Sequence, residues 1–234
     1  MITLAIESSA APVSVSLCHD EKIIAENYVH TKQTHSETLM PMVENLLKMT
    51  NLTIREIDLL AVSYGPGSFT GVRIGVSTIK GLAFASDIPC CGVSTLEAIA
   101  RTSAIEGYVL CAVMDARCKQ VYNANFTVKD GKLIRLCEDR ALSIEALSEE
   151  CQKMHQKIML CGDGAQICYE EFFKWGAGIA PENIRYQRAS SVALLAEEMF
   201  KEGKSVSAAS LVPAYLRLPQ AERELKKKLR RIET

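Results

Sequence analysis

Three apolar or β-branched runs open the chain, at residues 2–6, 12–18 and 22–29, with Asp20-Glu21 between the second and third. Such spacing predicts three consecutive strands, the last two joined by a tight hairpin turn. A stretch of helical periodicity follows over about 35–50. Thr34 and Glu37 have capping-box spacing at its start, while Pro41 implies a later start or a kink. Thr53 and Glu56 begin a short helical turn, Leu59–Tyr64 reads as a buried strand, and 69–86 reads as a second long helix. Ser94 and Glu97 form another capping box for a helix reaching about 104.

A looser copy of this order begins near Gly107. Residues 108–114 and 119–128 read as strands, and Lys129-Asp130-Gly131-Lys132 as a turn into a short third strand. Ser143 caps a helix to about 154, a short strand at 157–161 leads into Gly162-Asp163-Gly164-Ala165, and Ser190 or Ser191 opens a helix ending near Gly203. The doubled order β-β-β-α-β-α predicts an α/β fold of two closely packed lobes, residues 1–106 and 107–219. In the tail, 220–234, Leu225, Leu229 and Ile232 fall on one helical face with Lys226, Lys227, Lys228, Arg230 and Arg231 around them.

The charge balance narrows the function classes. Across 234 residues, 27 basic side chains face 28 acidic ones. A protein that grips nucleic acid by its global charge would be far more basic. The tail carries +3 and the remainder −4, so residues 220–234 form the one basic patch. Direct RNA binding through that patch is one function class, and a helix docked on the protein with its lysines in water is the bland counterpart. No apolar run approaches the roughly 20 residues of a membrane span, and Met1–Glu7 lacks the features of a signal peptide. The expected location is the cytoplasm.

Candidate chemistry is sparse. The nine cysteines include no C-x-x-C pair, and several fall inside apolar strands, so they read as free thiols in the core. His30 and His35 are five apart, while His19 and His155 are isolated, so no metal ligand set is expected. Asp115 and Arg117, two apart on a predicted strand, face the same side and read as an ion pair at the lobe junction. The most informative segment is Gly65-Pro66-Gly67-Ser68-Phe69-Thr70-Gly71-Val72-Arg73-Ile74-Gly75, between a strand and a helix. It lacks the Gly-Lys-Ser/Thr of a P-loop and has Thr70 where the dinucleotide fingerprint has Gly. Three readings stand: an anion held at a helix N-terminus, a tight strand-to-helix turn, and close helix approach over Gly67, Gly71 and Gly75.

That segment resembles the signature of the bacterial TsaB (YeaZ) family of tRNA threonylcarbamoyladenosine biosynthesis proteins. Leu4–Ser9, His35-Ser36-Glu37, Met114–Arg117 with Val121-Tyr122, and Pro213–Arg217 resemble other family segments. Two departures stand out: Glu7 replaces the family's usual Asp, and the C-terminal motifs match less well. The resemblance implies two actin-like (ASKHA, ribonuclease-H-like) lobes. It implies a non-catalytic subunit that pairs with a catalytic paralogue, TsaD, and a small ATPase, TsaE, and that forms a homodimer when alone. ATP and a metal ion then belong to the partners, and tRNA is met through the complex. The implied partner-binding helices carry Leu39, Met42, Val43 and Leu46 on one, and Gly71, Val72, Gly75, Val76 and Ile79 on the other; the Gly71/Gly75 face is expected to dock a partner helix. Glu7, Ser8, Ser9, Gly65, Gly67, Ser68, Asp115 and Arg117 would mark a vestigial nucleotide site. The alternative is a stand-alone actin-like ATP-dependent enzyme or a peptidase-like protein.

Overall fold

The computed structural model describes residues 1–31, 33–84 and 86–217. The expectations for the basic tail therefore lie outside the described residues.

The first sheet contains β1 (Ile2–Glu7), β2 (Val13–His19), β3 (Lys22–Val29), β4 (Leu59–Gly65) and β5 (Cys90–Ser94), in the order β3-β2-β1-β4-β5. β2 runs antiparallel to β1 and β3, whereas β4 and β5 extend the sheet in parallel. The β2–β3 turn forms where the sequence places it: Asp20 and Glu21 take φ of 48° and 65°, the left-handed pair that suits strand twist. α1 (His35–Thr50), α2 (Phe69–Phe84) and α3 (Thr95–Thr102) complete this half. Thr34 is the N-cap of α1, and its hydroxyl donates to Glu37 at 2.7 Å. Pro41 lies inside α1 on its exposed side, where the carbonyl that loses its partner can turn to water.

The second half repeats the plan. β6 (Val109–Asp115), β7 (Gln120–Lys129), β8 (Lys132–Arg135), β10 (Ile158–Cys161) and β11 (Gly178–Ile179) form a sheet ordered β11-β10-β6-β7-β8, and β9 (Arg140–Ser143) pairs with the free half of β7. Read from its first strand outward, this order matches the first sheet. Asp130 and Gly131 (φ 52° and 71°) again make the hairpin turn. α4 (Ile144–Gln152), capped by the Ser143 hydroxyl, and α5 (Ala165–Phe172) cover its outer face; α6 (Glu182–Arg185) and α7 (Ala189–Lys201) follow. The result is the two-lobed, actin-like α/β architecture.

The alternating strand faces assign six of the seven described helices, all but α6, to layers. Leu4, Ile6, Val15, Leu60 and Val62 pack on α1 and α2, whereas Ala5, Leu59 and Ala61 pack on Val192, Ala193 and Ala196 of α7. In the second sheet, Cys111, Val113 and Leu160 face α4 and α5, and Leu110, Ala112 and Phe126 face Leu96 and Ile99 of α3. Five layers result, with α3 and α7 in the middle. α7, which falls within the expected second lobe (107–219), packs on the first sheet. Its N-terminus is fixed there as well: Ala189 N donates to Ser14 Oγ at 2.9 Å, and Ser190 N to Glu26 at 3.0 Å. Arg188, not Ser190 or Ser191, is the N-cap residue. Seven of the nine cysteines are buried, all nine are free, and Cys118 is exposed.

Candidate functional site

The two lobes leave a cleft of about 550 Å³ beside the C-terminal ends of β1, β4 and β6. Open α/β sheets hold their ligands at that edge. Its wall combines the turn after β1, the glycine segment, the end of β6, Asp163 and the closing segment Ala214–Arg217.

The glycine segment is shaped by the chain itself. Ser68 N donates to Ser9 O at 2.6 Å, locking the start of α2 onto the turn after β1. A Cβ on Gly67 would sit 2.5 Å from Ser9 O, and one on Gly71 would sit 2.1 Å from Ser8 O. Ser8 Oγ in turn donates to Gly71 O at 2.9 Å, and Ser68 Oγ accepts from Gly71 N at 3.3 Å. The close approach that these glycines permit is taken up by Ser8 and Ser9. Gly65, at φ +130°, serves the closing segment, since a Cβ there would lie 2.3 Å from Ala214 O.

Of the expected nucleotide-site residues, Ser9, Gly67, Ser68, Asp115 and Arg117 line the cleft; Glu7 and Ser8 are buried behind it. Glu7 accepts from Ser9 N at 2.6 Å and Ser9 Oγ at 2.5 Å through one oxygen, and from the Ser63 hydroxyl through the other. Burial pushes its carboxyl up, against the pull of those hydrogen bonds. The Asp115–Arg117 ion pair exists at 3.2 Å, but its geometry comes from a turn rather than a strand. β6 ends at Asp115, and Arg117, Cys118 and Lys119 all take positive φ.

The expected partner-binding residues are corrected more thoroughly. Leu39, Met42, Val43 and Leu46 of α1, and Val72, Val76 and Ile79 of α2, lie in the core against the first sheet. Gly71 and Gly75 are also buried; a Cβ on Gly75 would meet Ser8 Oγ at 2.4 Å and Val62 Cγ2 at 3.1 Å. A Gly75→Leu chain would therefore lose its own packing, not merely a docking face. The surface that α1 and α2 leave outward includes Ser36, Thr70, Arg73, Ile74, Ser77 and Thr78, around a shallow hollow of about 520 Å³. His30 and His35 share no site either: His35 Nε2 is 2.7 Å from Ala10 O, and His30 packs edge-on against Tyr186. Among the described residues no cluster of three His, Cys, Asp or Glu could hold a metal ion.

Three features join residues too far apart in the chain to be paired by periodicity. Asp163 enters the cleft wall, where burial and the Asp115 charge push its carboxyl up to about 7. Arg73 lies 3.9 Å above the Phe69 ring, which stacks on Tyr215, and Arg73 Nε donates to Tyr215 Oη at 2.8 Å. The closing segment bridges the lobes: Ala214 N donates to Tyr64 O at 2.8 Å, and Arg217 donates to Ala116 O at 2.9 Å. The Gly-Asp-Gly turn and the motif at 213–217 were visible in the sequence, but pairings across such separations leave no periodic signal.

Comparison with known proteins decides the family. A family model described as TsaD, tRNA N6-adenosine threonylcarbamoyltransferase, matches residues 22–225. The chain is 32% identical over 225 residues to the tRNA threonylcarbamoyladenosine biosynthesis protein TsaB of Bacillus subtilis (strain 168), covering 95% of this chain and 96% of that protein. The chain belongs to the TsaB family. TsaB of Escherichia coli (strain K12) is 30% identical over 220 residues, covering 93% of this chain and 95% of that protein. Among solved structures, a Pseudomonas aeruginosa protein described as similar to peptidase YeaZ superposes with a TM-score of 0.82 at 27% identity, covering 92% of this chain and 99% of that one. The peptidase label belongs to that description. The TsaB resemblance spans both lobes, as expected.

Proposed function

We propose that this chain is a non-catalytic, activating subunit in the formation of threonylcarbamoyladenosine on tRNA, paired with a TsaD-like paralogue and served by a TsaE-like ATPase. Membership of the TsaB family supports the pathway. One observation supports the non-catalytic role: the chain spends its own would-be nucleotide apparatus on itself. Both Glu7 oxygens accept hydrogen bonds from Ser9 and Ser63, and the close approach at Gly67 and Gly71 is filled by the Ser8-Ser9 backbone. ATP and metal chemistry are assigned to the partners. The pairing surface is assigned to the outward face of α1 and α2, centred on Thr70, Arg73, Ile74 and Ser77. Small side chains there let a partner helix come close, and Arg73 offers a guanidinium held in place by Phe69 and Tyr215. The cytoplasm is the compartment this role requires, and no helix among the described residues is long and apolar enough to cross a membrane.

The experiment is reconstitution of tRNA modification from purified subunits. Omitting this chain is expected to abolish product, and Ser77→Arg is expected to abolish pairing while leaving a folded monomer. Full product without the chain would refute the activating role. Saturable ATP hydrolysis by the isolated chain would favour the stand-alone enzyme instead.

A further inference from the structure

The cleft contains a carboxylate with one oxygen that the fold leaves without a donor. Asp163 lies in the turn ahead of α5, and Gly164 lets that turn close on the end of β6: a Cβ on Gly164 would lie 2.9 Å from the Met114 carbonyl carbon and 3.0 Å from Asp115 N. The approach sets two acids in one wall, in unlike circumstances. Asp115 is satisfied within its own turn, accepting from Arg117 N at 2.7 Å and pairing with the Arg117 guanidinium. Asp163 Oδ1 is buried and has no hydrogen-bond partner. A buried acceptor without a donor is costly enough that native structures satisfy nearly all of them.

The surroundings narrow what could satisfy it. Asp115 and Glu7 add negative field at Asp163, which a backbone hydrogen bond and the Arg117 charge offset only in part, so a positively charged donor suits it. Phosphate is disfavoured by the same field, and the glycine turn that could have cradled one is filled by Ser8 and Ser9. A metal ion would find only two side-chain ligands, since among the described residues no third His, Cys, Asp or Glu joins Asp163 and Asp115. Elsewhere the wall mixes hydroxyls of Ser9, Ser68 and Thr70 with Met114, Tyr122 and Tyr215, and it carries a second guanidinium at Arg217. The cavity, about 550 Å³, is of small-ligand size.

We propose that the cleft between the lobes binds a small zwitterion, its ammonium group donating to Asp163 and its carboxylate meeting Arg217. The cleft adjoins the outward face of α2, sharing Phe69 and Thr70 with it, so binding is measured on the isolated chain, apart from subunit pairing.

The test is calorimetric titration of the full chain with ω-amino acids of increasing length: glycine, β-alanine, γ-aminobutyrate and ε-aminocaproate. Butylamine and butyrate supply each charge alone, and magnesium chloride and ATP supply the competing ligand classes. One member of the ladder is expected to bind saturably, about tenfold more tightly than either half-ligand, and to shift the Met114 methyl resonance. Asp163→Asn is expected to weaken it at least about tenfold. Ionisation of Asp163 near pH 7 should raise affinity about tenfold between pH 6 and pH 8. Absence of saturable binding across the ladder would overturn the proposal. Undiminished binding to Asp163→Asn would do the same, as would displacement of the Met114 resonance by magnesium or ATP alone. The Met114 readout in the unmodified chain keeps the test decisive should the variant not fold.

Discussion

Two alanine substitutions in one helix should act with opposite signs. Gly71→Ala places a Cβ 2.1 Å from Ser8 O. The obstacle is backbone, and it cannot simply retreat: Ser8 Oγ is bonded to Gly71 O, and the next residue is held by Glu7 through both its N–H and its hydroxyl. Overpacking of this kind costs about 1–3 kcal/mol, and disturbing the Ser8 hydrogen bond adds about 1 kcal/mol. The helix preference of Ala over Gly returns up to about 1 kcal/mol. A net loss of about 2 kcal/mol is expected. Gly81, also in α2, has nothing within 4 Å of its would-be Cβ and is exposed, so Gly81→Ala keeps the propensity gain alone and stabilises by about 0.5–1 kcal/mol. Urea unfolding followed by circular dichroism measures both, with an unchanged slope confirming that the midpoints report stability. If Gly71→Ala unfolds within about 0.5 kcal/mol of the parent, the glycine segment is not held against Ser8 as described.

Other perturbations follow from the same geometry. Burial and the Asp115 charge push the Asp163 carboxyl from its ordinary 3.8 up to about 7, so its cost to stability is absent below the lower value, grows as pH rises, and is complete above the higher one. Asp163→Asn should match the parent near pH 4 and exceed it by about 1–3 kcal/mol near pH 8, partial solvent contact reducing the full shift; equal stability at both pH values would contradict the burial argument. Glu7→Ala strands the Ser9 N–H and the Ser63 hydroxyl and should cost about 3 kcal/mol, with Glu7→Gln milder, as read from unfolding midpoints. Tyr215→Ala removes the stack on Phe69 and the Arg73 hydrogen bond, and should speed tryptic cleavage at Arg217 severalfold with little change in global unfolding. Cleavage at the parent rate would show that the stack does not hold the closing segment.

The sequence carried the fold through local chemistry. The turns at Asp20-Glu21 and Asp130-Gly131, and the caps at Ser94 and Ser143, are decided by residues within four positions of each other, and the structure forms them where expected. Placement of α7 depends instead on which of two apolar sheet faces is still uncovered, and its own periodicity cannot name the sheet. The partner-binding expectation failed for a related reason. Leu39, Met42, Val43 and Leu46 follow the i, i+3, i+4, i+7 pattern, which marks a helix's core stripe, so a docking face must be sought among the residues that the stripe omits. Gly71 and Gly75 correctly signalled a close approach; the approaching segment, Ser8, comes from more than sixty positions earlier in the chain.

The middle layer has a consequence for how the protein is made. A nascent chain that has reached Gly107 holds all five strands of the first sheet, yet beyond Ala98 of α3 the helical cover of Ala5, Leu59 and Ala61 arrives only when Ala189–Lys201 has been translated. The usual order, in which an N-terminal unit completes itself first, is closed to this protein. Its first half must wait for a helix translated more than ninety residues beyond its last strand. Fragments cut between the repeats should therefore be sticky rather than independently soluble, and holdase chaperones would have their longest hold on the first sheet.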